Sequence, residues 1–207
     1  NNGNLKWKKS IKEKIIGKIS YLDYYKNNKY QFLFNTSSKL FLVDRLGRNV
    51  KDYPFKIEGE TNLQHSLFDY DNSKDYRIII ANKEGKILNY KKNGNRVTGW
   101  KHTDYKIVNY PLEHFKVNEK DFIIKLDKNN KIELFARNGS SRTKFKEKIR
   151  NYKMDNNSKI YSLKKNYFWR GDNFGNENKF VTELPDSSNN FVIISKENKI
   201  NNYLVSS

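Results

Sequence analysis

Compact apolar runs recur along the chain, each introduced by a polar turn that closes on an aromatic residue. They read Phe32-Leu33-Phe34, Ile78-Ile79-Ile80, Phe122-Ile123-Ile124 and Phe191-Val192-Ile193-Ile194. Runs this short and this continuous, bounded by turn residues, predict strands buried on both faces. The turns before them are Asp-Tyr-Tyr-Lys-Asn-Asn-Lys-Tyr at 23–30, Asp-Tyr-Asp-Asn-Ser-Lys-Asp-Tyr at 69–76, His-Phe-Lys-Val-Asn-Glu-Lys-Asp-Phe at 114–122 and Asp-Ser-Ser-Asn-Asn-Phe at 186–191. Their closing aromatics, Tyr30, Tyr76, Phe122 and Phe191, lie 46, 46 and 69 residues apart. A second polar turn follows each run and ends in a lysine, Lys39, Lys86, Lys131 or Lys199, that opens a further strand. Glycine turns at Gly47, Gly94 and Gly139 close three units, two of them as Asn-Gly, which predicts the type I′ hairpin. A fourth strand is expected near Pro54-Phe55 and again near Gly99-Trp100.

Three turn types in fixed order at one period mark radial repetition of four-stranded antiparallel blades, the pattern of an all-β propeller. A generic β-meander would have to produce that order by coincidence. The units fall at about 12–57, 58–103, 104–149 and 150–207, with residues 1–11 read as a strand completing another blade. Tyr203-Leu204-Val205 reads as a third strand with no fourth behind it. About four to five blades lie at the small end of the architecture. The expectation is therefore a portion of a larger propeller, with circular closure of the two ends as the alternative. Residues 143–176 depart from the cassette and read either as a degenerate blade or as an inserted loop.

Composition narrows the chemistry. No run of eighteen apolar residues exists, so no membrane-spanning helix is expected. No charged-then-apolar leader opens the chain, which bears little on secretion because its first residues already read as strand. With no cysteine, disulfides, thiolate metal sites and cysteine nucleophiles are excluded. The net charge of +18 and 14% aromatic content raise the question of a polyanionic partner. Abundant lysine, asparagine, isoleucine and tyrosine are also what an AT-rich genome's codons produce, and lysines in repeated turns protect strand edges. The densest patches, Lys6-Trp7-Lys8-Lys9 with Lys12 and Lys14, and Arg142 to Arg150, are short and interrupted by acids. Neither an RNA-recognition motif nor a helix-turn-helix is present.

No catalytic constellation emerges, and no catalytic, cofactor or metal residue is assigned. His65, His102 and His114 sit at different repeat positions, lack metal-ligand spacing and read as partly exposed strand or loop residues. Asp69, Asp71 and Asp75 with Ser73 echo a degenerate calcium loop. The same turn at Asp23 lacks the second acid, so a plain turn is the simpler reading. Phosphate loops, serine elbows and zinc helices are missing. Trp7, Trp100 and Trp169 are expected to pack between blades.

The order Leu-Lys-Trp-Lys-Lys at 5–9, Gly-Lys-Ile-Ser-Tyr-Leu-Asp-Tyr-Tyr-Lys-Asn at 17–27, Gln-Phe-Leu-Phe-Asn-Thr at 31–36, Phe-Leu-Val-Asp-Arg-Leu-Gly-Arg-Asn-Val at 41–50, Phe-Asp-Tyr-Asp at 68–71 and Val-Thr-Gly-Trp at 97–100 resembles a known group. It looks like the C-terminal β-propeller of a Bacteroidota (flavobacterial) envelope protein family, closely over residues 5 to about 140. More distantly, Gly3-Asn4-Leu5-Lys6-Trp7 is similar to the repeat of quinoprotein-like propellers. That superfamily holds quinone-dependent dehydrogenases and a non-catalytic scaffold of the outer-membrane β-barrel assembly machinery. The vicinal cysteines of the dehydrogenases cannot exist here, so the scaffold branch fits better. The resemblance implies a part of a longer protein of the periplasm or outer membrane, with protein partners, no cofactor and no enzymatic activity. Binding of a glycan, an anionic polymer or nucleic acid through the basic surface is the alternative.

Overall fold

In the computed structural model the described residues are 3–117, 119–129 and 131–148, followed by the strands of the remaining chain, whose side chains, like all those from 143 onward, lie outside the description. Every element among them is a strand. The chain divides into two compact units, Asn1–Glu113 and His114–Ser207.

In the first unit, β1 (Ile16–Leu22), β2 (Gln31–Asn35), β3 (Lys39–Val43) and β4 (Phe55–Lys56) form a four-stranded antiparallel sheet in sequence order. β5 (Ser66–Phe68), β6 (Arg77–Ala81) and β7 (Ile87–Lys91) form the next, with three strands. The registers superpose the two blades, since Ser20 pairs with Leu33 as Ser66 pairs with Ile79, and Tyr21 with Phe32 as Leu67 with Ile78. Strand alternation then sends Leu22, Leu33, Leu40 and Leu42 from one blade against Ile78, Ile80, Leu88 and Tyr90 of the other, in one buried core. Both sides of β2 and β6 are thus covered with apolar residues, which is why their sequences are continuous apolar runs.

In the second unit, β8 (Glu113–Val117), β9 (Lys120–Leu126), β10 (Lys131–Phe135) and β11 (Ser141–Lys148) make a four-stranded sheet. Its core gathers Phe115, Phe122, Ile124, Leu126, Ile132 and Leu134. On the opposite face of β9 and β10, the cross-strand neighbours Lys125 and Glu133 form a buried ion pair at 2.7 Å. The described residues between 143 and 176 are strands, as the degenerate-blade reading expects: they finish this sheet and supply β12 (Asn151–Met154), β13 (Ile160–Lys164) and β14 (Tyr167–Gly171) of the next, which β15 (Glu177–Glu183) completes. β16 (Asn190–Lys196) and β17 (Lys199–Ser206) pair as a hairpin. The stretch 150–207 therefore holds a full four-stranded sheet and a two-stranded one.

Three sequence expectations are corrected. The glycine hairpins are not type I′. At 44–48, 91–95 and 136–140 the glycine N–H donates to the first turn carbonyl (3.0, 2.9 and 2.8 Å), while the first residue's N–H donates to the carbonyl four residues on. Gly47, Gly94 and Gly139 have φ of 78°, 86° and 82°, and the asparagines before the latter two are not left-handed. One left-handed residue in a three-residue loop is a type I turn with a G1 bulge. Next, residues 97–100 form no fourth strand. The Trp100 indole N–H donates to Ile87 O at 2.9 Å and so occupies a carbonyl on the edge of β7 that a strand would have used. Lastly, residues 3–15 form no strand. They run as an extended strap over blade 1, where Trp7, Ile11 and Ile15 pack on Phe34, Phe41 and Val43.

Candidate interaction face

At one end of the first unit the β1–β2 and β5–β6 loops are built on the same skeleton. Both carboxylate oxygens of Asp23 accept backbone N–H groups, from Asn27 at 2.9 Å and Asn28 at 2.8 Å. Asp69 does the same for Ser73 and Lys74, each at 3.0 Å. In both loops two non-glycine residues are left-handed, Lys26 and Asn28 in one, Asn72 and Lys74 in the other. Such conformations each cost about 1 kcal/mol or more, and the aspartate bonds hold them in place. The remaining backbone of the first loop is also tied down. Gln31 accepts from Tyr24 N–H and donates to Lys29 O, and Lys92 Nζ donates to Tyr24 O at 2.7 Å while lying 5.3 Å over the Tyr24 ring.

The two loops are also tied to each other. Lys74 Nζ meets Asp23 Oδ2 at 2.6 Å and Asn28 Oδ1 at 2.7 Å. Burial alone would raise the Asp23 carboxyl, but the Lys74 ammonium and the Asn28 and Asn27 amides outweigh it and hold its pKa below the ordinary aspartate value. The loop Asp69, Asp71, Ser73, Asp75 is therefore a turn. Its first carboxylate is spent on backbone amides, and Asp75 turns to Arg77 at 3.3 Å. Among the described residues no group of three or more His, Cys, Asp or Glu side chains is placed to hold a metal. What this rigid frame shows to solvent differs between copies: Tyr25, Lys26 and Tyr30 on one loop, Asp71, Asn72 and Asp75 on the other.

Beside these loops an open cleft of about 490 Å³ is lined by Asp52, Phe55, Lys56, Tyr90, Asn93 and Asn95. Two tilted rings line it, Phe55 and Tyr90 with centroids 5.1 Å apart, and Tyr53 packs on Phe55 at 5.2 Å.

Of the three histidines that the sequence suggested would be partly exposed, only His114 is so. His65 and His102 are buried. His65 joins the blades: its Nδ1 lies 3.1 Å from Asn35 Oδ1 and its Nε2 2.8 Å from Ser20 Oγ. Asn35 Oδ1 can only accept, so Nδ1 carries the proton and Nε2 accepts from the serine. Burial, with Lys18 nearby, pushes the ring's pKa down to about 4. The repeat-equivalent serine, Ser66, donates to Leu112 O at 2.6 Å. No sequence signal separated this polar seam from a surface position, because its partners lie 30 and 45 residues away. His114, in the second unit, lies 2.7 Å from Asp121 Oδ1, and Asp121 also receives Arg137. Trp7 and Trp100 donate their indole N–H groups to backbone carbonyls at 2.9 Å, Trp7 from the strap rather than from between blades.

Consecutive antiparallel meanders, repeated in register with interlocked faces, define the class of this molecule: it is built of β-propeller blades. No protein-family model matches the chain, and no curated protein matches it. Among solved structures it is similar to BBS1N in complex with ARL6DN. In a mercury-soaked crystal the identity is 12% and the TM-score 0.58, over 92% of this chain and 61% of that one. A lead-soaked crystal of the same complex gives 10% and 0.59, over 90% and 59%. BamB from Moraxella catarrhalis is similar at 11% identity and TM-score 0.57, over 86% and 53%. At such identities the fold is what is shared. The chain spans about three-fifths of the BBS1N chain and about half of the BamB chain.

Proposed function

We propose that this chain is a non-catalytic β-propeller scaffold for protein partners in a bacterial cell-envelope complex, in the periplasm or at the outer membrane. The observation that carries the reading is the doubled loop skeleton. One backbone geometry, fixed by Asp23 and by Asp69, presents tyrosine and lysine in one copy and acids in the other. A frame that holds its shape while its outward residues change suits recognition, because exposed tyrosines on a rigid loop lose little entropy on binding. The propeller of BBS1N is itself seen bound to another protein, ARL6DN. The envelope compartment is supported by the resemblance of residues 5 to about 140 to a flavobacterial envelope family. Absence of enzymatic activity belongs to the proposal, supported by the engagement of His65 with Asn35 and Ser20 and of His114 with Asp121. The test is purification of the native protein from its source cells in mild detergent. A stable envelope partner that is lost on Tyr25→Ala with Tyr30→Ala supports the reading, and an isolated monomer overturns it.

A second reading, glycan binding, is favoured by the cleft over Phe55 and Tyr90, whose two lining rings and rim of Asn93, Asn95 and Asp52 match sugar chemistry. Calorimetric titration with envelope oligosaccharides, repeated on Phe55→Ala, separates it from the first.

A further inference from the structure

Two glycine hairpins of the first unit are each covered by an aromatic ring from an earlier segment, Gly47 by Trp7 and Gly94 by Phe55. The cover is close: a methyl group at either glycine would stand 2.7 or 2.9 Å from ring carbons. The two turns share one geometry, with φ of 78° and 86° at the glycine. Two residues beyond the ring the copies part. Lys9 crosses to the first hairpin, where its Nζ donates to Gly47 O at 3.2 Å. Ile57 turns instead into the buried core between the two blades. Gly94 O is left with no donor among the described residues, and Gly94 lines the cleft between β4 and the 91–95 hairpin.

The rest of the lining adds to the acceptors. Asp52 is its one acid and Lys56 its one cation. The Asp52 carboxylate makes no hydrogen bond or ion pair among the described residues, although its backbone is left-handed at φ 68°. Asp23 and Asp69, by contrast, spend both oxygens bracing left-handed loops. A left-handed aspartate whose side chain does not brace its own turn points to a use outside the turn. Beside it, Asn93 Oδ1 accepts the Asn95 N–H at 3.2 Å, and the rings of Phe55 and Tyr90 supply apolar surface.

We propose that this cleft receives the side chain of a lysine from a protein partner, which does at Gly94 what Lys9 does at Gly47. The methylene stem lies along Phe55 and Tyr90, and the ammonium group meets Gly94 O and the Asp52 carboxylate. A head with three donors and no acceptor matches this set. An anion would find Lys56, but it would also face the Asp52 charge and a carbonyl oxygen. The partner comes from the scaffold reading, on which this inference rests, whereas the preference of the cleft for lysine can be measured without that partner.

The probe is an acetylated and amidated peptide of one lysine between glycine pairs. It is titrated into the isotope-labelled 207-residue chain and followed through the backbone amide signals of Asn93, Gly94 and Asn95. Saturable shifts are expected, and the norleucine peptide, with the same stem and no ammonium, should bind about tenfold or more weakly. Asp52→Asn should weaken lysine binding by about two- to fivefold, and Lys56→Gln should strengthen it by up to about threefold. Both side chains are exposed, so both variants should fold, and their amide spectra check this. Weaker binding on Lys56→Gln would mark a site for anions and overturn the proposal. Equal affinity for the norleucine peptide would do the same, as would cellotriose moving these signals at lower concentration than the lysine peptide, which would give the cleft to a neutral glycan. An envelope partner recovered with the native protein while the cleft stays silent to lysine would overturn this inference alone. Lysine binding as stated, in a protein that purifies without a partner, would remove the scaffold reading and leave the lysine site standing.

Discussion

Three glycines with nearly the same backbone should respond very differently to alanine. Gly85, Gly94 and Gly99 all have positive φ, at 83°, 86° and 75°, so each substitution carries a common left-handed cost of about 1–2 kcal/mol. What a new methyl group would meet then separates them. At Gly99 there is nothing within 4 Å, and the backbone cost is the whole effect. At Gly94 the methyl would sit 2.9 Å from two carbons of the Phe55 ring. That ring must tilt away and give up part of its contacts with Tyr53 and Tyr90, each worth about 0.5–1.5 kcal/mol, for a total near 2–3 kcal/mol. At Gly85 the obstacle is the Tyr105 carbonyl oxygen at 2.1 Å, which is backbone and cannot rotate aside. The loss there should exceed about 4 kcal/mol, a large part of a typical domain's stability. Urea titration of the three alanine variants, followed by far-ultraviolet dichroism and tryptophan fluorescence, should rank them Gly99, Gly94, Gly85 in rising cost. Equal shifts, or a reversed order, would refute the packing of the 82–86 hairpin against residues 105–106 and of the 91–95 hairpin against Phe55.

Other outcomes follow from the same geometry. His65 ionises near pH 4 when folded and near 6.5 when unfolded, so stability should be full above pH 6.5 and decline by about 3 kcal/mol as pH falls towards 4, since only the unfolded chain takes up the proton there. Melting curves of His65→Gln across that range should lack this fall. Lys125→Met should destabilise the fold by withdrawing one cationic partner from the buried Glu133 carboxylate, and adding Glu133→Leu should restore most of the loss in urea titrations. Glu13 has a pKa lowered to about 2, chiefly by its hydrogen bonds with Ser38 and Thr36, so strap docking is present above the ordinary glutamate pKa and lost as pH falls from about 4.5 towards 2. At neutral pH, Glu13→Gln should free the strap enough to speed lysine-specific proteolysis at Lys12 and Lys14 several-fold, with the blade melting point little changed.

The strands were legible where both their faces are buried. Phe32-Leu33-Phe34 and Ile78-Ile79-Ile80 became β2 and β6 because a blade between neighbours needs apolar residues at every position, and the turn residues around them set the limits. The strap defeated the same rule. Its alternation of Trp7, Ile11 and Ile15 with lysines has the period of a strand, but no sheet edge accepts its backbone, and side chains alone hold it. Trp100 misled in another way, since a strand-forming residue was used as an edge cap. The paired loops were visible as a repeated Asp and a spacing, but not as a frame. Whether an aspartate binds a cation or its own backbone depends on left-handed residues at Lys26, Asn28, Asn72 and Lys74, and no composition rule marks those. His65 was unreadable for a simpler reason: its partners are far away in the chain.

The strap also bears on the order in which the chain acquires its shape. Within each sheet every strand is hydrogen-bonded to its neighbour in sequence, so blades can zip from their hairpins with little loop-closure cost. The strap is joined by contacts that span 38 residues at Trp7 and 25 at Glu13, and these exist only after the 44–48 and 36–39 hairpins have closed. It is therefore a late event in folding. Weakening it should hasten unfolding and leave the folding rate of the blade almost untouched.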